Sequence, residues 1–163
     1  MGDGVIIKIL KLVLIIFFMG LIFSFSVESG KKSSRHSDSF IIKSMEFVFR
    51  RNLTIHEKEI YIKKFVYPIR KSAHFWLYFM LGLSILSFVK EFVLLSWRQV
   101  GLTTFMVFLY ACSDELHQLF VPGRSGEILD VFIDTIGGFV GIGYYFVIYY
   151  LRRMTHGQEK TIG

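Results

Sequence analysis

The chain predicts an all-α fold, an integral membrane bundle of four transmembrane helices with a long basic loop between the first two. Three observations carry this. Of 163 residues, 53% are hydrophobic and 18 are Phe, and the mean hydropathy of +0.50 is too high for an ordinary soluble core. The apolar residues fall into four runs, each close to the ~20 residues that a ~30 Å hydrocarbon layer requires. The charged residues gather in a few blocks at the ends of these runs instead of being scattered along the chain. The length suits a single domain, 1–163.

The first run, about 5–27, is broken only by Lys8 and Lys11, close enough to its start to snorkel. It has the outline of a signal peptide. Its length, and the poor small-x-small match in "FSFSVESG", favour a retained anchor. The loop at 28–68 mixes apolar and basic residues, as in "FIIKSMEFVFRRN" and "HEKEIYIKKF". That pattern suits either an amphipathic helix on an anionic bilayer surface or a solvated loop with a few helical turns. Asn52-Leu53-Thr54 matches a glycosylation acceptor, a motif too short to weigh. The second span, about 69–89, places Pro68 in the first helical turn, where its missing N–H costs nothing. The third covers about 100–120 and the fourth about 128–151, ending at Arg152 and Arg153. Between these two, Pro122 and Gly123 suit a type II turn, and Ser125 is placed to cap the fourth helix.

A net charge of +6 points to membrane lipids as partners and not to nucleic acid, since no groove-reading or base-stacking motif accompanies it. Eleven Lys and Arg residues from Lys31 to Lys71 argue for a cytoplasmic loop. Lys8, Lys11, Lys90, Arg98, Arg152, Arg153 and Lys160 lie on the other side and favour cytoplasmic termini. The single cysteine, Cys112, cannot form an internal disulfide and reads as a small packing residue.

With four spans, the start of the second, the end of the third and the start of the fourth share one face. The polar residues cluster at these places. Arg70, His74 and Tyr78 follow at i, i+4, i+8 with Lys71 beside them, and Asp130 and Asp134 are one turn apart. Asp114, His117 and Gln118 share a face, with Glu115 about a quarter turn away. At 1.5 Å per residue His74, Asp114 and Asp134 each sit ~10 Å inside their helix end, so one pocket can hold all three. A charge facing lipid near a helix centre costs ~2.5–3.5 kcal/mol, which turns such groups inward to pair. Arg70, Lys71 and Arg124 can offset Asp114, Glu115, Asp130 and Asp134. Gly137 and Gly141 form a small-xxx-small contact suited to close helix packing within the bundle.

The stretches "FSFS", "RKSAHFWLYFMLG" and "SDELHQLFVPGRSGEILDVFIDTIGG", in this order over about 23–143, resemble the VanZ-like membrane proteins. The resemblance implies a small multi-pass protein of the bacterial cell membrane, in a family whose founding member is associated with low-level teicoplanin resistance and whose biochemical activity is unsettled. It maps the family's polar residues onto Arg70, Lys71, His74, Asp114, Glu115, His117, Gln118, Arg124, Asp130 and Asp134. Asp134 stands where the family usually has Asn.

Three readings of the pocket follow. The favoured one binds or transforms a phosphorylated lipid or a lipid-linked envelope precursor. Arg70, Lys71, Tyr78, Glu115, Gln118, Arg124 and Asp130 form the substrate site; His74 or His117 serves as general base, Asp114 as its orienter and Asp134 as acid. The second is a structural ionic latch without catalysis. The third is a divalent-metal enzyme using His74, His117, Asp114 and Asp130, although no metal motif assigns ligands and no cofactor is implied.

Overall fold

The structure, a computed structural model, describes residues 2–27, 30–124 and 126–159, without the side chains of residues 3, 30–36 and 156–159. Among the described residues it is all-helical: α1 (Gly2–Val27), α2 (Gly30–Phe49), α3 (Ile55–Val89), α4 (Trp97–Gln118) and α5 (Ile128–Glu159). Three stretches are long and apolar enough to cross a membrane: Gly4–Val27, Ile55–Val89 and Ile128–Thr155. Such helices, exposing residues like Leu10, Phe17, Trp76 and Phe139, belong to a membrane protein. The expected third span corresponds to α4. At 22 residues α4 is long enough, but it ends in Asp114, Glu115, His117 and Gln118 and is not among the three.

The region expected as a loop is mostly helical, and α3 starts fourteen residues before the expected Ile69. The reason is a capping box. The Thr54 hydroxyl accepts from the Glu57 N–H at 3.3 Å and the Glu57 carboxylate accepts from the Thr54 N–H at 2.9 Å, so two backbone donors that a helix start leaves open are satisfied. Pro68 therefore lies inside the helix and not in its first turn. There it withholds a hydrogen bond from the carbonyl four residues earlier, a cost that neighbouring packing must absorb. Helix α2 ends at Phe49; Arg50, with φ 52°, reverses the chain, and α2 packs back on α3. Glu46 holds that return: it pairs with Lys58 at 3.1 Å and accepts from the Leu53 N–H at 3.2 Å, and both contacts keep its carboxyl below the ordinary value. Ile41 and Leu53 are buried, whereas Phe40, Phe47 and Val48 face outward.

Helix α3 is central, packing against α1, α2, α4 and most extensively α5. The α3–α5 seam depends on glycine. A Cβ at Gly137 or Gly141 would run into the carbonyl of Phe75 or Phe79, and one at Gly82 into Gly138. The small-xxx-small stripe thus serves packing within the chain. At one end of the bundle Lys11 reaches Glu91 at 2.5 Å and the Ser87 carbonyl at 2.9 Å, while the Tyr150 hydroxyl donates to the Leu95 carbonyl at 2.8 Å. The other end gathers the C-termini of α1 and α4, the start of α5 and the middle of α3.

Candidate functional site

The site begins with the turn after α4. The Val121 carbonyl accepts from the Arg124 N–H at 3.1 Å and Gly123 has φ 77°, as a type II turn requires. The turn brings Arg124 back over the end of α4, where it donates to Gln118 Oε1 at 3.0 Å and to the Phe25 carbonyl. The expected cap by Ser125 lies outside the described residues.

Beneath Arg124 is a buried network linking α1, α4 and α5. Ser26 Oγ donates to Asp114 Oδ1 at 2.6 Å. Gln118 Nε2 lies 3.2 Å from Asp114 Oδ2, 3.2 Å from Glu115 Oε1 and 3.1 Å from Ser26 Oγ. Glu115 Oε2 accepts from the Glu127 N–H at 2.9 Å. Glu115, expected to point away from the cluster, is buried within it, because the start of α5 covers that side of α4 and supplies a backbone donor. Ser26 and Glu127 escaped the sequence analysis as site residues. Ser26 had a signal, a hydroxyl in the "FSFS" end of an otherwise apolar helix, at the membrane face where the charges collect.

One layer deeper, His74, Asp114 and Asp134 each offer a ligand atom within 4.8 Å of the others. His74 Nδ1 lies 3.5 Å from Asp134 Oδ2, too far for a hydrogen bond. Asp134 is fully buried, and neither of its oxygens accepts a hydrogen bond from a described residue. The Tyr78 hydroxyl is equally buried and without a partner among the described residues, within electrostatic range of Asp114 and Asp134. The meeting of His74, Asp114 and Asp134 matches the expectation, though not by the expected depth: His74 is nineteen residues, about 28 Å, beyond the start of α3. The carboxylate beside the His74 Nδ1 is Asp134, in the place where sequence analysis put Asp114.

Outside this layer lies a polar cavity of about 100 Å³, lined by Arg70, Lys71, His74, Gln118, Arg124 and Asp130, together with Tyr67 and Glu127. Lys71 bonds Asp130 and, at 3.1 Å, Glu127. Arg70 has no ion-pair partner among the described residues. An apolar groove of about 330 Å³, lined by Cys112, Leu116, Leu119, Ile128 and Val131, shares Glu127 with the cavity. His117 joins neither group. Its ring lies on Phe23, centroids 4.9 Å apart, and its Nδ1 is buried without a partner among the described residues. Chemically the cavity can hold an anion between Arg70 and Arg124, beside Lys71 and its carboxylate partners Asp130 and Glu127, and the layer behind it can hold a cation among carboxylates.

A family model described as VanZ/LLP1 matches residues 11–149. No curated protein and no solved structure matches the chain.

Proposed function

The chain belongs to the VanZ/LLP1 family, and from that premise we propose that it binds a phosphorylated lipid or a lipid-linked envelope precursor in the bacterial cell membrane and contributes in that way to teicoplanin resistance. The observation that carries the reading is the junction at Glu127 of a cation-lined polar cavity with an apolar groove. The cavity has room for a small polar headgroup and not for a whole lipid. A phosphate there meets Arg70 and Arg124, whose planar guanidinium groups suit paired hydrogen bonds, while the hydrocarbon chain lies along Leu116, Leu119 and Val131. Both chemistries of one lipid are met at adjacent places. In this reading α4 also crosses, giving four spans with both termini in the cytoplasm. The face of α2 bearing Phe40 and Phe47 rests at the headgroups.

If the site also transforms its ligand, His74 is the group suited to move a proton: it opens on the cavity and Asp134 can orient it. The second reading, a structural latch, draws on the Ser26–Asp114–Gln118–Glu115 network, which joins α1 to α4 and, through the Glu127 N–H on Glu115, to the residue before α5, without any ligand.

The test compares wild type, Arg70→Ala and His74→Ala for retention of a polyprenyl phosphate in nanodiscs and for teicoplanin susceptibility of the host, with membrane abundance measured for each. Arg70→Ala is expected to weaken retention about tenfold, the size of one charge-assisted hydrogen bond lost. Losses that only follow lost protein favour the latch. A wild type that retains the phosphorylated lipid no better than a neutral one removes the lipid reading.

A further inference from the structure

We propose that His74, Asp114 and Asp134 form a binding site for a divalent transition ion of the Zn²⁺ or Mn²⁺ kind. The ligand set differs from the one expected from sequence, with Asp134 replacing His117 and Asp130. The donors come from three helices, one each from α3, α4 and α5, and lie within 4.8 Å of one another. Small side-chain rotations bring them to the ~2.0–2.2 Å that nitrogen and carboxylate oxygen keep from such an ion. One imidazole with two carboxylates is a borderline-hard set, suited to Zn²⁺ or Mn²⁺.

Charge supplies the second argument. Among the described residues Asp114 is satisfied by neutral donors, the Ser26 hydroxyl and the Gln118 amide, which leave its negative charge in place. Asp134 accepts no hydrogen bond at either oxygen from a described residue although it is fully buried. Lys71 is turned to Asp130 and Glu127, and neither Asp114 nor Asp134 is ion-paired with a Lys or Arg among the described residues. Two buried carboxylates are costly; His74, 3.5 Å from Asp134, can offset at most one of their charges, whereas a divalent ion held by all three side chains offsets both.

The Tyr78 hydroxyl is an independent pointer. It is buried, has no partner among the described residues and does not line the cavity, and it lies within electrostatic range of Asp114 and Asp134, as well as of Tyr110 and Glu115. A bound ion gives it a role, as a further oxygen ligand or as a donor to one. The site opens toward the polar cavity through His74, so remaining coordination positions are within reach of whatever the cavity holds.

This inference does not rest on the lipid reading and is tested with metal alone. The full chain in detergent is stripped with a chelator, desalted and titrated separately with Zn²⁺ and Mn²⁺, with bound metal read by elemental analysis and Mn²⁺ also by its paramagnetic resonance signal. Wild type is expected to take up one equivalent. At concentrations about a hundredfold above Kd its melting temperature is expected to rise by several degrees. Asp134→Asn and His74→Ala are expected to weaken uptake at least tenfold and to lose the thermal rise, while Glu59→Gln, an exposed carboxylate on α3, keeps both.

Asp134→Asn removes a buried charge and should melt no lower than metal-free wild type, so lost binding is separable from lost folding. Two results overturn the proposal: a wild type that retains no stoichiometric metal, as when a proton balances Asp134, or an Asp134→Asn variant that binds as wild type does.

Discussion

At the scale of single residues, the most consequential side chain is one without charge. Ser26 Oγ donates to Asp114 at 2.6 Å and stands near Gln118 Nε2 at 3.1 Å, so one hydroxyl joins α1 to the polar end of α4. Removing it leaves a buried carboxylate oxygen short of a donor, which costs about 1–3 kcal/mol. Ser26→Ala is therefore expected to lower the melting temperature by several degrees in detergent, whereas Ser24→Ala, whose hydroxyl donates to the carbonyl of Gly20 within its own helix, changes it little. The ionisable members of the site were legible because charges in an apolar chain stand out and must converge to be tolerated. Ser26 was less so, and Tyr78 was placed in the site by its spacing while the burial of its hydroxyl, without a partner among the described residues, was not legible. Neither carries charge, and Ser26 matters through the Asp114 and Gln118 atoms it meets. His117 shows the limit from the other side: its i+3 spacing from Asp114 fits the cluster, but its ring packs on Phe23.

At the scale of elements, the four apolar runs each became a helix, and the polar residues of α3, α4 and α5 met at one end of the bundle. The start of α3 was misplaced. Pro68 is a strong local signal and drew the boundary to itself, while Thr54 and Glu57, the capping pair that begins the helix, lay in a segment read for its charge. The glycine stripe was legible by spacing alone, and the structure adds which glycine matters. A side chain at Gly141 meets the Phe79 carbonyl, backbone that cannot turn aside, whereas one at Gly143 meets nothing within 4 Å. Gly141→Val is expected to destabilise the bundle by at least ~1–3 kcal/mol through forced separation of α3 and α5. Gly143→Ala is expected to be neutral or to stabilise by up to about 1 kcal/mol from helix propensity. Thermal unfolding of the two variants in one detergent decides it.

At the scale of the whole molecule, the helices define two ends. One holds Lys11 with Glu91 and Tyr150 with the Leu95 carbonyl; the other holds the site. Helix α3, at 35 residues and about 50 Å, exceeds a ~30 Å hydrocarbon layer, so its first turns and α2 extend past the site end. If α4 crosses, Lys90 and Thr155 face one side of the membrane, and Glu59 and Pro122 the other. Single cysteines placed by Lys90→Cys, Thr155→Cys, Glu59→Cys and Pro122→Cys in a Cys112→Ser background test this with an impermeant maleimide on intact cells. With cytoplasmic termini, the last two are expected to label at once and the first two only after permeabilisation. The reverse pattern keeps four crossings and inverts the orientation, placing the cation-lined cavity at the inner leaflet. Labelling of Lys90→Cys and Pro122→Cys from the same side shows that α4 does not cross. Its buried carboxylates would then be held by protein contacts at an interface, and the charge argument that brings Asp114 to His74 and Asp134 would lose its bilayer term.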